Sequence, residues 1–303
     1  MKIRKSPWVP LYCLLHCLFT VYVVLDTFVF SKSLTPEAGT PSAEVQIGDE
    51  NKESHLAPVI TDSMYRDENI LITVTKYRYE DSDVYVADVV LSSPEYLKTA
   101  FARGTFGRNI AEETSVTAEA SSAILAVNGD FYGSQEKCYV IRNGVLYRDT
   151  HAGTRLDLVI YKDGSAEIIQ ENKIKATELM ERGAYHVFSF GPPLVQNGEI
   201  ALPKRGLHSH TAVDNPRTAI GIVDTLHYVF VTVDGRTKES AGLTAAELAE
   251  FMKSLGTTTA YNLDGGGSAT MYFNGKVINQ PTYKGKDIEE REVSDIVYIG
   301  YGN

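Results

Sequence analysis

The chain has 303 residues, 43% hydrophobic and 22% charged, with a formal net charge of −10. That composition is ordinary for a globular protein, and with no basic tract to balance the acidic excess it argues against non-specific nucleic-acid binding. Of three cysteines, Cys13 and Cys17 lie in the N-terminal apolar run and Cys138 stands alone, so the folded part has no disulfide framework.

Lys2, Arg4 and Lys5 precede an apolar run from Pro7 to Phe30, interrupted by His16 and Asp26. As a helix these 24 residues would span about 36 Å, enough to cross a bilayer. Positive charge on the N-terminal side predicts a single-pass anchor with a cytoplasmic N-terminus and the remainder outside the cell membrane. A cleaved signal peptide is the competing reading. The run is long for one, and no small-x-small site ends it. Residues 31–68, rich early on in Ser, Pro, Glu, Thr and Gly, read as a flexible stalk, and residues 69–303 as the folded domain.

Ile70 to Tyr77 and Val84 to Leu91 are β-rich. Asn109 to Ser122 reads as a helix. Ala123 to Val127 is a buried strand that runs into Asn128-Gly129-Asp130. Hairpins follow about Asn143-Gly144 and Asp163-Gly164, then a short helix over Lys175 to Arg182 and a strand over His186 to Phe190. Residues 203–215 form a polar loop. His208 and His210 within it could hold a metal from a strand, but no third ligand is evident, so neither metal nor cofactor is expected. Arg217 opens an apolar strand, and Leu226 to Val233 is another, ending at Asp234-Gly235-Arg236. The best helix is Ala245 to Leu255. It has a Thr244/Glu247 capping box, a Leu248, Phe251, Met252, Leu255 stripe and a Gly256 stop. A strand through Leu263 then ends in Asp264-Gly265-Gly266-Gly267-Ser268. Hairpins and strands outnumber helices, which predicts an α+β domain of large, mainly antiparallel sheets with helices packed on their faces, preceded by one transmembrane helix.

Three strands thus end alike, at Asn128, Asp234 and Asp264, each with a glycine beside a polar group, and Arg217 adds a cation at a fourth. Singly, each reads as turn chemistry. Together they describe a site on the loops of a rigid sheet. The glycine run lets backbone approach a ligand closely, and its N–H groups could face an anion. The 18 tyrosines suit a sugar site and suit strands equally.

These segments, NGDFYG (128–133), FGPPLVQNG (190–198), PRTAIGI (216–222), VDGRTKESAGLTAAELAEFM (233–252), NLDGGGSATMYFNG (262–275) and REVS (291–294), resemble the phosphodiester glycosidase family, in the same order. Asp130 departs from that pattern, in which glycine is frequent. The resemblance implies cleavage of a sugar from a phosphodiester at its anomeric carbon. It casts Asp264 as the catalytic carboxylate, with Asp234 second, and Arg217 as the phosphate clamp beside the Gly265, Gly266 and Gly267 amides and Ser268. Asn128 and Thr218 would orient hydroxyls or phosphate oxygens, Asp130 would touch substrate, and Arg291 would support a carboxylate. Arg236 and Lys238 could draw an acidic substrate toward the site, with solvated exposure the favoured reading. The expected partner is a glycan or glycosyl phosphate, with no nucleic acid. The other function class is a non-catalytic surface protein that binds polysaccharide or assists its export.

Overall fold

In the computed structural model, residues 15–22, 32–33, 57–202, 211–283 and 287–302 are described. Among the described residues of the domain, three antiparallel sheets of five or more strands and three short α-helices make up the framework, and two two-stranded pairs flank it. The largest sheet has nine strands, in the order Glu199–Ile200, Pro193–Gln196, Thr259–Asn262, Arg217–Asp224, His227–Val233, Ser82–Leu91, Ile70–Tyr79, Met64–Arg66 and Val59–Ile60. One five-stranded sheet runs Lys276–Val277, Met271–Phe273, Leu125–Asn128, Asp295–Ile299, Leu97–Phe101. The other runs Val145–Arg148, Val140–Arg142, Ala184–Phe188, Leu156–Tyr161, Ala166–Gln170.

The central strands of the large sheet are apolar on both faces, and both faces are covered. Tyr85, Ala87 and Val89, with Tyr228 and Phe230, point into a core shared with the five-stranded sheets, where they meet Val127, Val297, Leu158 and Phe188. Their neighbours Val84, Val86, Val229, Val231 and Val233 point the other way, onto Leu248, Phe251 and Met252 of the helix Ala245–Ser254. Period-two side-chain alternation makes one run of residues serve two cores. That helix starts where the sequence predicts: Glu247 N donates to Thr244 Oγ1 at 3.2 Å, and Thr244 N donates to Glu247 Oε2 at 2.8 Å. The outer faces of the smaller sheets are covered likewise. Leu179 of Ala176–Glu181 packs on Val159 and Val187, and Ala118 of Thr114–Ala120 packs on Ala126 and Tyr298. The helix expected over 109–122 is confined to this shorter span, because Asn109 takes a left-handed φ of 56° and Glu112 bridges to Val293 as extended chain.

Two expectations about the N-terminal portion need adjustment. Val59–Ile60 and Met64–Arg66 form the last strands of the nine-stranded sheet, so residues assigned to the stalk belong to the domain. Lys32–Ser33 also pairs, with Gly107–Arg108. The expected membrane-crossing run falls mostly outside the described residues. Residues 15–22 are helical, and among the described residues no helix is long and apolar enough to cross a membrane.

One buried ionic cluster joins the two smaller sheets. Arg142, on an inner strand of one, donates from Nη2 to Asp130 Oδ1 at 2.8 Å and from Nε to Asp295 Oδ2 at 2.9 Å, where Asp295 opens a strand of the other. All three side chains are inaccessible, and the guanidinium lies 4.8 Å above the Phe188 ring. Two carboxyls share one cation. Burial raises the Asp295 carboxyl to about 7, opposed by Arg142 and reinforced by Asp130. A carboxyl raised this way holds its proton in the folded chain after the unfolded chain has released it. Its stabilising contribution is therefore complete below the ordinary aspartate range and is lost as pH rises through about 7. Urea unfolding should show stability falling over that interval, and Asp295→Asn should flatten the fall. Arg142→Met should cost roughly 3–5 kcal/mol in the same assay, because it leaves buried carboxyls without their cation.

Candidate active site

Of the four strand ends that the sequence pattern groups, those at Asn128, Arg217 and Asp264 are tied together, and the Asp234 carboxylate is turned elsewhere. Leu263 N donates to Thr218 O at 2.9 Å, Asp264 N to Gly129 O at 3.2 Å and Gly266 N to Pro216 O at 2.8 Å, so the loops after Asn128 and Asn262 and before Arg217 are laced together by backbone. The Asn128 side chain, fully buried, fixes the junction. Its Nδ2 donates to Asp264 O at 2.6 Å, and its Oδ1 accepts from Thr218 Oγ1 at 2.7 Å and Thr270 N at 3.4 Å. Asn128 and Thr218 thus build the floor of the site and do not line its opening.

Above this floor lies a cavity of about 200 Å³ lined by Phe190, Asn215, Arg217, Arg236, Asn262, Asp264, Gly265, Gly266 and Arg291. Asp264 is its carboxylate. Oδ1 accepts from Gly265 N at 2.9 Å, and Oδ2 accepts from Ser268 Oγ at 2.8 Å and Arg291 Nη2 at 2.6 Å. Arg291 also donates to Ser268 Oγ from Nε at 2.8 Å, so serine, arginine and aspartate close a ring of hydrogen bonds. Burial raises the Asp264 pKa above the ordinary aspartate value, opposed by Arg291, Ser268 and the Gly265 amide. The carboxylate is therefore aimed by three donors in a partly dehydrated wall, a combination found at catalytic carboxylates.

Three guanidiniums surround it. Arg217 is 6% exposed. It donates from Nε to Leu243 O and from Nη2 to Val213 O, each at 2.8 Å, which makes it a brace for the wall as well as a source of charge. Burial lowers its pKa to about 10, which leaves it charged at neutral pH. Arg236 was expected to be solvated. It is exposed, yet Asn215 Oδ1 accepts from its Nε at 3.2 Å and its Nη2 at 3.0 Å, holding it on the cavity wall. A β-carbon at Gly266, whose φ is +60°, would come within 2.9 Å of the Arg236 Nη2. This glycine is needed for that approach. At the rim the Arg291 guanidinium sits 6.0 Å from the centroid of Phe131, a 40% exposed ring on a residue with left-handed φ of 72°.

Other expected roles shift. Asp234 turns away from the cavity, accepting at Oδ1 from Asn279 Nδ2 and Gln280 N, each at 2.9 Å. It is buried and anchors the loop that follows the Lys276–Val277 strand, away from the cavity. Asp130 is committed to Arg142 and also accepts from Ser189 N at 2.7 Å, so its role is internal. The Gly265 and Gly266 amides are committed to Asp264 and Pro216, and Ser268 N to Gly265 O, so they do not form the anion cradle that the glycine run suggests. Gly267 is close-packed on Tyr283 and Arg291. Residues that were not anticipated include Asn262. Its Nδ2 donates to Gly191 O at 2.9 Å, and its buried Oδ1 has no partner in the wall of the cavity. Its position next to Leu263-Asp264 at a strand end is the one signal in the sequence. His208 and His210 lie outside the described residues.

Residues 121–300 match the phosphodiester glycosidase family. The chain belongs to that family. The SPbeta prophage-derived uncharacterized protein YomE of Bacillus subtilis is 31% identical over 201 residues, 65% of this chain and 31% of YomE. The mouse N-acetylglucosamine-1-phosphodiester alpha-N-acetylglucosaminidase is 37% identical over 90 residues, 29% of this chain and 17% of the mouse protein. The chain thus spans less than a third of the length of these relatives. Among solved structures, the zebrafish N-acetylglucosamine-1-phosphodiester alpha-N-acetylglucosaminidase catalytic domain, auto-inhibited by its pro-peptide, superposes with a TM-score of 0.60 at 20% identity, covering 90% of this chain and 88% of that one. A hypothetical protein from Synechocystis gives a TM-score of 0.60 at 14% identity over 77% of this chain and 62% of its own. Both likenesses concern the fold.

Asn128→Ala should remove the hydrogen bonds that gather the three loops. The expected loss is roughly 2–4 kcal/mol in urea unfolding, because the Asp264 carbonyl and the Thr218 hydroxyl lose a buried partner.

Proposed function

We propose that this chain is a hydrolase that cleaves sugar-1-phosphodiesters, releasing the sugar and leaving the phosphate on its other substituent. The observation that carries this reading is one carboxylate, Asp264, oriented by Ser268 and Arg291 in a cavity otherwise walled by Arg217 and Arg236. Asp264 is the one carboxylate among the described lining residues. Ordinary glycosidases need a second, protonated one to neutralise a strongly basic leaving alkoxide. A phosphodiester departs as a weakly basic anion, so guanidiniums can replace that acid. The bond between the anomeric carbon and the phosphate oxygen breaks with its electron pair leaving on phosphate. Asp264 faces the positive charge that develops on the sugar. Arg236, held by Asn215 at the open side of the cavity, meets the phosphate. Arg217 adds charge from behind, and the unpartnered Asn262 Oδ1 accepts a sugar hydroxyl. The exposed face of Phe131 offers an apolar platform for the ring.

Residues 1–30 serve in this reading as an uncleaved anchor, with the domain outside the cell, on the strength of the basic tip and apolar run. Protease accessibility in intact cells tests that arrangement.

With the full chain and an α-linked sugar-1-phosphodiester, Asp264→Asn should lower kcat/KM by at least about 10³-fold with near-ultraviolet circular dichroism unchanged. Wild-type turnover in this variant would overturn the assignment. Retention of anomeric configuration, read by proton NMR of the fresh product, would mark Asp264 as nucleophile, and inversion would mark it as base for water. In either role it acts ionised, so activity should fall as acid is added, with a midpoint above the ordinary aspartate value in the direction that burial dictates. Arg236→Ala should raise KM by about tenfold or more through loss of a charge-assisted contact.

A further inference from the structure

A second cavity, of about 610 Å³, is lined by Gln135, Glu136, Lys137, His151, Ala152, Gly153 and Arg155. Nothing in the chemistry above uses it. Its side chains are biased toward positive charge in a protein whose net charge is −10. Lys137 and Arg155 are cations and His151 is a further nitrogen donor. The one carboxylate, Glu136, is already paired with Arg108 at 3.2 Å. Lys137 is exposed and has no carboxylate partner among the described residues. His151 accepts from Gly153 N at Nδ1, at 3.1 Å, which turns its other nitrogen outward as a donor.

Two pieces of chain tie this cavity to the catalytic one. Arg155 donates from Nη1 to Gln135 Oε1 and, at 3.5 Å, to Ser189 Oγ, while Gln135 Nε2 donates to Ser189 O at 3.1 Å. The next residue, Phe190, lines the catalytic cavity. Its N–H is held at 2.9 Å by Tyr261 Oη, which in turn donates to Leu156 O, beside Arg155, at 2.7 Å. On the other side, a single 3-10 turn runs from Phe131, the ring beside Arg291, to Gln135 in the second cavity. The two basic cavities are therefore joined through Ser189-Phe190 on one side and the Phe131–Gln135 segment on the other.

We propose that the second cavity is an anion subsite for the next phosphodiester along the substrate, which makes the substrate class a polymer with repeated phosphodiester links. This rests on the phosphodiester glycosidase reading of the first cavity. The phosphate that leaves the cleaved sugar sits at Arg236, with Arg217 behind it, and its neighbour one repeat away sits among Lys137, His151 and Arg155. A small sugar-1-phosphodiester fills the first cavity alone. A polymer fills both and gains the added charge contacts.

The test compares a monomeric sugar-1-phosphodiester with a four-repeat oligomer of the same linkage, using the full chain. Wild type should prefer the oligomer in kcat/KM by at least about fivefold, the size of two exposed charge contacts, and added salt should shrink the preference. In the double variant Lys137→Ala, His151→Ala the ratio should fall toward one, and Lys137→Arg should keep it. Equal ratios in wild type and double variant would overturn the proposal. A binding titration with oligo(glycerol phosphate), which contains no glycosidic bond, separates the two readings. Binding that the double variant loses, with no turnover of either substrate by wild type, would sink the hydrolase reading and leave the anion subsite standing. Turnover of the monomer with unchanged oligomer binding in the double variant would do the reverse.

Discussion

The candidate site depends on one buried amide. Asn128 emerges from a strand of one sheet and reaches the Thr218 hydroxyl, on a strand of another, and the Asp264 carbonyl, in the loop that follows a neighbouring strand of that same sheet. An amide is suited to this task because it offers donor and acceptor in one rigid group, so it can join a carbonyl to a hydroxyl. A carboxylate could not donate there, and an apolar residue would leave polar atoms stranded. The Asp264 backbone is thereby fixed, and its side chain inherits a defined direction before any substrate arrives. Preorganisation of this kind is what lets fixed donors and charges act on a transition state without reordering.

The sheets supply the rigidity. Because the central strands of the large sheet are packed on both faces, their ends cannot shift independently, and loops that would otherwise wander are set at fixed spacing. The acidic chain then concentrates cations locally. Arg217 is braced by carbonyls, Arg236 by Asn215 and Arg291 by Asp264 and Ser268. Mutual repulsion among three guanidiniums would scatter them on a flexible surface. Each is instead restrained by an acceptor.

Much of this organisation was legible in the sequence. The capping box at Thr244, the hairpins and the polar strand ends follow from local rules that tertiary packing did not override. The convergence of Asn128, Arg217 and Asp264 was readable because a polar group and a glycine at the end of a buried strand must face either a loop or a site. The misreadings have a common physical origin. Sequence shows that Asp234 and Asp130 stand at strand ends but not on which side of the backbone their carboxylates emerge, and each found an internal partner, Asn279 or Arg142. A glycine run shows where N–H groups are free to turn, but not whether other chain segments, such as Pro216, claim them first. Arg236 is exposed as expected, but the sequence did not show its restraint on the cavity wall, because the acceptor, Asn215, lies in a loop distant in sequence. The strand Val59–Ile60 was missed because a two-residue edge strand carries no periodicity to read.

The Arg142 cluster constrains which parts of this chain can be exchanged for a relative's. Its three residues come from separate stretches of chain, a loop after one strand, the middle of a second sheet and the opening of the last strand. A chimaera that grafts a homologous 125–148 block onto this chain would carry over Asp130 and Arg142 or their replacements while keeping Asp295. A graft lacking the guanidinium would strand a carboxyl in the interior. Successful recombination should therefore swap all three positions as one inheritance unit, or none.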